Sequence, residues 1–320
     1  MKKPDRFPAI VGQDVAKRKL NFHMDNYSAS SIIPHLLFIA PKGCGKTMLA
    51  KAAGRNLVGM EGKPKAFFEI NCSTIKSVPQ FINQIVLPHI NQRECTVLFD
   101  EASELPKDVS MALLTILNPN QENRTTFSFE DYVMDFDFRR QSFMFATTEA
   151  HQMFHALIDR CDRIDLEEYS YEHLAEIIKR NIDTLEIDCD RKILSDIAPV
   201  LRGNARAAQK MANNMKSYMQ RKKAKKFTKV HWDELKHALG ILPLGLSRIE
   251  IQILRALGEK KECSLTNLSA KTGLTPQCIR QDFEIYLQKH NLMDITTSGR
   301  SLTTVGHRYL KDLDNSKVKP

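Results

Sequence analysis

The segment that most limits the possible folds of this chain is Ala40–Thr47, which reads Ala-Pro-Lys-Gly-Cys-Gly-Lys-Thr. An apolar run at 35–39 precedes it, and a helical pattern at 48–56 follows it. In such a unit the glycines let the backbone curl around an anion, and successive N–H groups at the helix N-terminus bind phosphate. The segment therefore predicts a phosphate-binding loop on a parallel α/β sheet, with a nucleoside triphosphate as the ligand.

Individual residues of this loop have distinct expected roles. Lys46 is expected to reach the β and γ phosphates, and Thr47 to ligate Mg²⁺. The other loop residues predicted to bind the nucleotide are Gly43, Cys44, Gly45 and Met48. Ala40 stands where the usual pattern begins with Gly, and we expect its methyl group to perturb the loop little. A Gly-Lys-Thr turn of purely structural meaning is the alternative interpretation.

A second apolar run, at 96–99, ends in two adjacent carboxylates, Asp100 and Glu101. This pattern predicts a buried parallel strand with acids at its carboxyl end, where such sheets bind nucleotides. Asp100 is expected to hold the Mg²⁺ shell and Glu101 to polarise the attacking water. The pair indicates hydrolysis rather than binding alone, although a strand ended by an acidic turn is the structural alternative.

Further polar residues follow later apolar segments. Thr148 ends a third predicted strand and could hydrogen-bond the γ-phosphate or the water. Arg160, with Arg163 as the second choice, precedes an alternating strand and could reach the γ-phosphate of a neighbouring subunit, although surface arginines beside acids are usually solvated pairs. Asn204 is predicted to cap a helix whose first turn presents Arg206 from a lid, and snorkelling along its own helix is the alternative for this arginine.

The order of these elements resembles the AAA+ ATPases, and among them the RuvB family of Holliday-junction branch-migration motors, along nearly the whole chain. The resemblance identifies Ile10 and Val11 with the adenine pocket, 40–47 with Walker A and 98–101 with Walker B. It identifies 146–148 with sensor 1, 159–161 with the arginine finger and 202–206 with sensor 2. It thereby implies an ATP-hydrolysing ring, a hexamer in that family, in which Arg160 acts on the next subunit. Cys161 beside Arg160 is closer to clamp loaders.

The segment 125–138 alternates apolar and polar residues on both sides of Glu130-Asp131, which predicts a β-hairpin. In the resembled family a hairpin at this position docks a junction-binding partner of the RuvA type. Here the hairpin is shorter and its tip is acidic, whereas an apolar tip would suit that docking better. This difference from the resembled family argues against a partner of the RuvA type more than it argues against the motor activity.

The C-terminal third is predicted to form a winged helix: three short helices followed by a hairpin. Ser247 and Glu250 form a capping box for the first helix, in which Ile249, Ile253 and Leu257 are expected to share the apolar face. Gly273 ends the second helix. The third helix starts at Thr275-Pro276, with Gln277, Arg280, Gln281 and Glu284 expected on its outward face. A turn at 298–300 is expected to place Arg300 at the wing tip, so that Arg300 and Arg280 contact the DNA backbone. A minority of such domains mediate only protein contacts.

The composition of the chain indicates its cellular compartment and the chemical class of its partner. The chain has 320 residues, 47 Lys plus Arg against 38 Asp plus Glu, and a net charge of +9, which favours a polyanionic partner. No apolar run reaches the length of a membrane span and no secretory signal is present, so we expect a cytoplasmic protein. Its seven cysteines have no metal or redox spacing and are expected to be reduced thiols.

These observations predict an α/β AAA+ P-loop core at 1–168, a helical lid at 169–243 and a winged-helix DNA-binding domain at 244–320. The expected activity is ATP hydrolysis coupled to translocation of duplex DNA in junction branch migration, with ATP and Mg²⁺ as cofactors. A clamp-loading ATPase and an origin-recognition switch are the rival functions. The predicted wing argues against a clamp-loading ATPase, and the predicted hairpin argues against an origin-recognition switch.

Overall fold

A computed structural model describes residues 5–260 and 262–317. The chain divides into two compact units, Met1–Phe227 and Thr228–Pro320. The three-domain division made from the sequence differs from this partition: it separates a lid at 169–243, of which 228–243 belong to the second unit, and it stays a prediction.

The first unit is built on a five-stranded parallel sheet of strand order β2-β3-β6-β1-β7. Its strands are β1 His35–Ile39, β2 Ala66–Asn71, β3 Cys95–Asp100, β6 Gln141–Thr147 and β7 Cys161–Asp165. Because β3, β6 and β1 are neighbours, the segments that follow them share one edge of the sheet. The predicted α/β class is confirmed, and β2, which the sequence analysis did not predict, lies at the edge of the sheet.

Alternation along the central strands sends apolar side chains to both faces of this sheet. Leu36 and Phe38 of β1 join one buried cluster, which contains Leu49 of the helix after the loop. Leu37 joins the other cluster, where the rings of Phe99 and Phe145 stack with centroids 5.1 Å apart. The sheet is therefore covered on both faces, and its carboxyl edge is left to carry polar groups.

The helices of the first unit cover these faces and form the lid. They are α1 Asp14–Ser30, α2 Lys46–Arg55, α3 Val78–Phe81, α4 Lys107–Ile116, α5 His155–Ile158, α6 Tyr171–Thr184, α7 Leu194–Ile197 and α8 Ala205–Lys222. A π-helical stretch, Ile82–Ile90, continues α3. The lid is made of α6 to α8, in which Asn204 caps α8 as predicted.

The hairpin predicted before β6 is confirmed as β4 Arg124–Phe129 and β5 Tyr132–Asp137, with Glu130 and Asp131 at the turn. Its inner face, which includes Met134 and Phe136, packs into the same cluster as Phe99. The hairpin is therefore anchored to the core by one face, while its tip is exposed to solvent.

The second unit starts with α9 Lys229–Ala238, which the predicted division places in the lid, and then has the predicted winged-helix elements. These are α10 Arg248–Gly258, α11 Leu265–Thr272, α12 Pro276–Cys278, α13 Ile285–Lys289, β8 Met293–Ile295 and β9 Arg300–Leu302. They are followed by α14 Thr304–Lys317. A π-helical stretch, Ile279–Glu284, joins α12 to α13. The Ser247–Glu250 capping box is present, with N–H···O distances of 2.7 and 3.2 Å. Helix α14 was not predicted.

Two expectations about side chains in this unit are wrong. Glu284, expected on the outward face of the third helix, is buried, because the helix widens to a π turn before it. Ile249, expected on the buried face of α10, is exposed, and the neighbouring Glu250 and Ile251 are buried instead. No helix within 5–260 or 262–317 is both long and apolar enough to cross a bilayer.

Candidate nucleotide-binding site

A cleft of about 690 Å³ opens at the carboxyl edge of the sheet, within the first unit. Its size falls in the range of sites for small molecules and cofactors. The predicted site residues that line it are Ile10, Val11, Gly43, Gly45, Lys46, Thr47, Met48, Asp100, Glu101, Thr148 and Arg206. Segments distant in sequence thus meet in one place, as their positions after parallel strands predicted.

The loop after β1 is shaped by Gly43 and Gly45, which have φ of 86° and 93°. These left-handed values suit glycine, and they turn the chain into the N-terminus of α2. The Lys46 ammonium lies inside the loop and donates to the Ala40 carbonyl at 2.8 Å. Burial lowers the pKa of Lys46, and Glu101 opposes this shift. The loop therefore holds a cation beside ready N–H donors, which fits an anionic ligand.

Ala40 and Cys44, the unusual residues of the loop, both turn their side chains into the core. Ala40 is 4% exposed and Cys44 is 1% exposed, and both belong to the apolar cluster that contains Leu49. The Ala40 methyl group is thus accommodated by packing beneath the loop rather than in the cleft. The Cys44 side chain does not line the cleft, so any contact of Cys44 with phosphate would come from its backbone.

Two side-chain oxygens that could bind a metal ion lie at the N-terminus of α2 and at the C-terminus of β3. The Thr47 hydroxyl donates to a carboxylate oxygen of Asp100 at 2.9 Å. Among the described residues no group of three or more His, Cys, Asp or Glu side chains could hold a metal by itself. Two protein oxygens without a full cage suit Mg²⁺, which keeps waters and takes the rest of its shell from phosphates.

Glu101 follows β3 in an unusual backbone conformation. Its φ of 55° and ψ of 49° are left-handed, a region that few residues other than glycine adopt. This conformation leaves the Glu101 side chain exposed on the cleft wall, one residue after the predicted metal ligand. A carboxylate held there can accept a proton or orient a water molecule.

Thr148, which lines the cleft together with Glu101, is positioned by a hydrogen-bond network beneath it. The Thr147 hydroxyl is buried, donates to the Ser103 hydroxyl at 3.0 Å and accepts the Glu149 N–H at 3.0 Å. The turn after β6 is thereby tied to the turn after β3. Ser103 was not singled out in the sequence, since a serine in a turn carries no distinctive pattern.

The first turn of α8 connects the lid to the phosphate loop. The Ala205 N–H donates to the Gly43 carbonyl at 3.1 Å, and the Asn204 amide oxygen accepts the N–H groups of Arg206 and Ala207. A Cβ atom at Gly43 would lie 2.1 Å from that oxygen of Asn204. Arg206 is exposed and lines the cleft from the first turn of α8, as predicted.

The other end of the cleft is formed by the segment before α1. Gln13 pairs its side-chain amide with the backbone of Glu167, donating at 2.7 Å and accepting at 3.0 Å. This pairing fixes Ile10 and Val11, which are mostly buried and line the cleft. The lid adds lining residues that the sequence analysis missed, namely Tyr169, Ile177, Asn181 and Thr184. They carry no motif, and the folded arrangement alone reveals them.

Arg160 lies outside the cleft, at the exposed start of β7. Its guanidinium donates to the Ala156 carbonyl at 2.8 Å, one helical turn earlier. Arg163, the second choice, lies within β7 rather than before it, and it pairs with Asp165 at 2.9 Å. Neither arginine lines the cleft, and Arg160 is the one that lies directly before the strand.

The predicted DNA-contacting arginines of the second unit differ in their placement. Arg280 is exposed on the third helix, as expected. Arg300 is not at the wing tip: it begins β9, and its guanidinium donates to the carboxylate of Glu284 at 2.8 and 3.3 Å. Since the buried Glu284 takes this cation, the expected placement of Arg300 at the wing tip is wrong, while its contact with DNA stays a prediction.

Two protein families match separate parts of the chain. The ATPase family associated with various cellular activities (AAA) matches residues 36–169, which include the phosphate loop, both carboxylates and Thr148. The RuvB C-terminal winged helix domain matches residues 243–311. Together the two matches contain the cleft's catalytic candidates and all the elements from α10 to β9.

Curated relatives are similar to this chain over nearly its whole length. The Holliday junction branch migration complex subunit RuvB of Wolbachia sp. subsp. Brugia malayi is 25% identical over 96% of this chain and 93% of its own length. The protein of the same name from Campylobacter jejuni subsp. doylei is 25% identical over 97% of this chain and 91% of its own.

Solved structures share the fold. The Thermotoga maritima RuvB Holliday junction branch migration motor superimposes with a TM-score of 0.75 at 20% identity, covering 96% of this chain and 97% of that one. A point mutant of Thermotoga maritima RuvB gives a TM-score of 0.76 at 21% identity, covering 97% and 98%.

Proposed function

Because the chain is a RuvB-like AAA ATPase, we propose that it hydrolyses ATP to drive branch migration of Holliday-junction DNA. The observation that carries the proposal is the meeting of phosphate loop, oxygen ligand pair, Glu101 and Arg206 in one cleft, in a chain that also has a RuvB-type winged helix. The curated relatives named for that activity match it over nearly their whole length.

The motif residues of the cleft have distinct roles in the proposed hydrolysis. Lys46 and the loop N–H groups bind the β and γ phosphates, and Thr47 and Asp100 hold Mg²⁺, which neutralises phosphate charge when bound. Glu101 accepts a hydrogen bond from the attacking water, which adds to the γ-phosphorus as the bond to the ADP oxygen breaks. Thr148 and Arg206 contact the γ-phosphate from the sheet edge and from the lid.

Arg160 completes the site of a neighbouring subunit in this proposal. It is exposed, it lies outside the cleft of its own chain, and it stands at a strand end without a carboxylate partner among the described residues. A positive group supplied in trans stabilises the charge of phosphoryl transfer, with effects of about 10³ to 10⁵ on turnover. Such an arrangement requires a neighbouring copy of the chain, and we propose that the copies form a hexameric ring.

DNA is the proposed cargo, contacted through the phosphate backbone by the winged helix, with Arg280 as a contributing residue. The hairpin β4–β5 is the proposed surface for a junction-binding partner. Its tip presents Glu130, Asp131 and an exposed Tyr132, so the partner surface that fits it is basic rather than purely apolar. A partner of the RuvA type would have to meet that acidic tip.

The test is ATP turnover titrated with linear duplex and four-way-junction DNA, followed by a branch-migration assay on a labelled junction. We expect DNA to stimulate turnover and the junction to be converted into two duplex products only when ATP is hydrolysed. Turnover that ignores DNA, with no conversion of the junction, would contradict the proposal.

The same measurements separate the rival functions. A clamp loader would be stimulated by a sliding clamp, and an origin-recognition switch would hydrolyse slowly and bind particular sequences. The match of residues 243–311 to the RuvB winged helix favours the motor over the clamp loader, which ends in a helical collar.

A further inference from the structure

The end of the lid carries an unusual concentration of positive charge. The segment 216–226 has six cations and no acid: Lys216, Arg221, Lys222, Lys223, Lys225 and Lys226. The net charge of the whole chain is +9, so these few residues carry positive charge equal to two thirds of that excess. We call this segment the lid basic segment. Neither the cleft nor the winged helix uses it.

Helix stabilisation accounts for only part of this charge. Cations in the last turn of a helix gain about 0.3–1 kcal/mol each from the macrodipole, and the effect fades beyond that turn. Helix α8 ends at Lys222, so Arg221 and Lys222 are explained in this way. Lys216 lies earlier in the helix, and Lys225 and Lys226 follow its end. The helix macrodipole does not offset the mutual repulsion of these three lysines.

Lys216, Lys223 and Lys225 line a groove of about 350 Å³ between the end of α8 and the segment 185–188. Glu186 and Asp188 lie on the opposite wall, and Asp188 pairs with Lys226 at 3.9 Å. Among the residues that the structure describes, no carboxylate lies within ion-pairing distance of Lys216, Lys223 or Lys225. The α8 side of the groove thus carries three ammonium groups without ion pairs to described residues, more than the two carboxylates of the opposite wall, and this excess fits an anion.

Tyr218 orders part of the lid basic segment without offering a stacking surface. Its ring centroid is 5.5 Å from the Arg221 guanidinium and 5.8 Å from the Lys222 ammonium. The ring itself is 4% exposed and packs edge-on against Phe227. Single-stranded nucleic acids are bound by exposed aromatic rings on which bases stack. Since the Tyr218 ring is buried, the surface fits duplex backbone better than unpaired bases.

We infer that the lid basic segment is a second contact for the phosphate backbone of duplex DNA, made by the ATPase lid itself. The inference rests on the proposed function, because it takes DNA as the cargo. The cores of protein–protein interfaces are depleted in Lys, which argues against a neighbouring copy as the occupant. A contact on the lid would connect DNA to α8, the helix whose first turn presents Arg206 to the cleft.

The test compares the full-length protein with the triple variant Lys216→Gln, Lys223→Gln and Lys225→Gln. Duplex binding is measured by fluorescence anisotropy over a series of salt concentrations. Each lost phosphate contact lowers the slope of log K against log salt by about 0.9, so we expect the slope to fall by about 2 to 3. Affinity at low salt should fall at least about tenfold. Turnover of ATP without DNA should not change, since these lysines lie outside the cleft.

A control variant removes equal charge from scattered exposed sites: Lys63→Gln, Lys107→Gln and Lys192→Gln. An unchanged slope in the lid variant, or an equal fall in the control, overturns the inference. Loss of assembly by the lid variant at an unchanged slope also overturns it, because the surface would then join two copies. If the wild type binds duplex but DNA does not stimulate its turnover, the proposed function fails while the binding comparison still decides the inference.

Discussion

The chemistry proposed at the level of single residues depends on where the backbone points Glu101. Its left-handed conformation ends β3 abruptly and separates its side chain from that of Asp100, which faces Thr47. Strained backbone of this kind costs about 1–3 kcal/mol and persists where the surroundings impose it. The two adjacent carboxylates can therefore take different roles, one at the metal and one at the water.

Replacing Glu101 by Gln removes the proposed base and keeps the shape of the side chain. We expect ATP binding to be retained and turnover to fall by about 10² to 10⁴, the usual contribution of a general base. Equilibrium binding of a fluorescent nucleotide and release of phosphate measure the two effects separately. The matched control is Glu104→Gln, an exposed acid three residues further on. Undiminished phosphate release by the Glu101 variant would refute the assignment.

Gly43 offers a second test, because its lack of a side chain is what lets Asn204 approach the loop. In Gly43→Ala the new Cβ would lie 2.1 Å from the Asn204 oxygen, so we expect the lid turn to be displaced and nucleotide affinity to be lost. Gly62→Ala is the control, since Gly62 also has a left-handed φ, 77°, but has nothing within 4 Å of the new atom.

The control variant should lose about 1–2 kcal/mol of stability from backbone strain and bind nucleotide normally. Chemical denaturation and nucleotide titration give both quantities for each variant. Equal nucleotide affinity in the two alanine variants would show that the contact between Gly43 and Asn204 is unimportant.

Motif residues of the cleft were predictable because their chemistry constrains both residue type and spacing. Lys46, Thr47, Asp100 and Glu101 follow apolar strands, and parallel strands bring their carboxyl ends together. Tyr169 and Asn181 were not predictable, since their place in the cleft depends on how the lid folds back onto the loop. The inward turn of Cys44 was likewise decided by packing beneath the loop.

At the level of elements, the third helix and the wing of the second unit are joined by the ion pair of Glu284 and Arg300. The side chains are 4% and 13% exposed, so the pair is largely removed from water. Ser298 and Gly299 before Arg300 predict a turn that includes this arginine. The strand instead begins at Arg300, whose backbone N–H donates to the Cys263 carbonyl at 2.9 Å. Pairing with a distant segment set this register, and local turn residues could not reveal it.

Arg300→Ala should destabilise the second unit by about 3–5 kcal/mol, because it leaves the Glu284 carboxylate buried without a cation. The double variant Glu284→Met, Arg300→Met should recover most of this loss, since it removes both charges and keeps the volume. Urea unfolding followed by circular dichroism measures the free energy of each variant. Arg308→Ala, at an exposed position, is the control. A stable Arg300→Ala protein that binds DNA poorly would instead support Arg300 as a DNA contact.

For the molecule as a whole, the order of strands in the sheet explains why Arg160 faces away from its own cleft. The phosphate loop follows β1 at the carboxyl edge of the sheet, whereas Arg160 precedes β7. Strands β1 and β7 are parallel neighbours, and their first residues, His35 and Cys161, lie opposite each other. The residue before a parallel strand lies at the opposite edge from the residue after its neighbour. Any nucleotide site that Arg160 completes must therefore belong to another copy, and this constraint follows from topology rather than from any motif.

A mixing experiment tests this dependence on a second copy. Lys46→Ala lacks a working phosphate loop but keeps Arg160, and Arg160→Ala has the converse defect, so we expect each variant alone to be inactive. In a mixed ring with head-to-tail contacts, an Arg160→Ala subunit can receive an intact arginine from a Lys46→Ala neighbour. Random equal mixing makes such a pair at about one quarter of the sites, so turnover should recover to about a quarter of the wild-type rate.

The control for this experiment mixes Arg160→Ala with the double variant Lys46→Ala, Arg160→Ala, which supplies no intact arginine to any intact loop. That mixture should stay inactive at every ratio, and Arg163→Ala alone should keep its activity because Arg163 pairs with Asp165 on its own strand. Phosphate release is followed as the ratio of the two proteins is varied at constant total concentration. Recovery that peaks at the equal mixture indicates a site shared between subunits. Full activity of Arg160→Ala on its own would instead show that each chain completes its site without its neighbour.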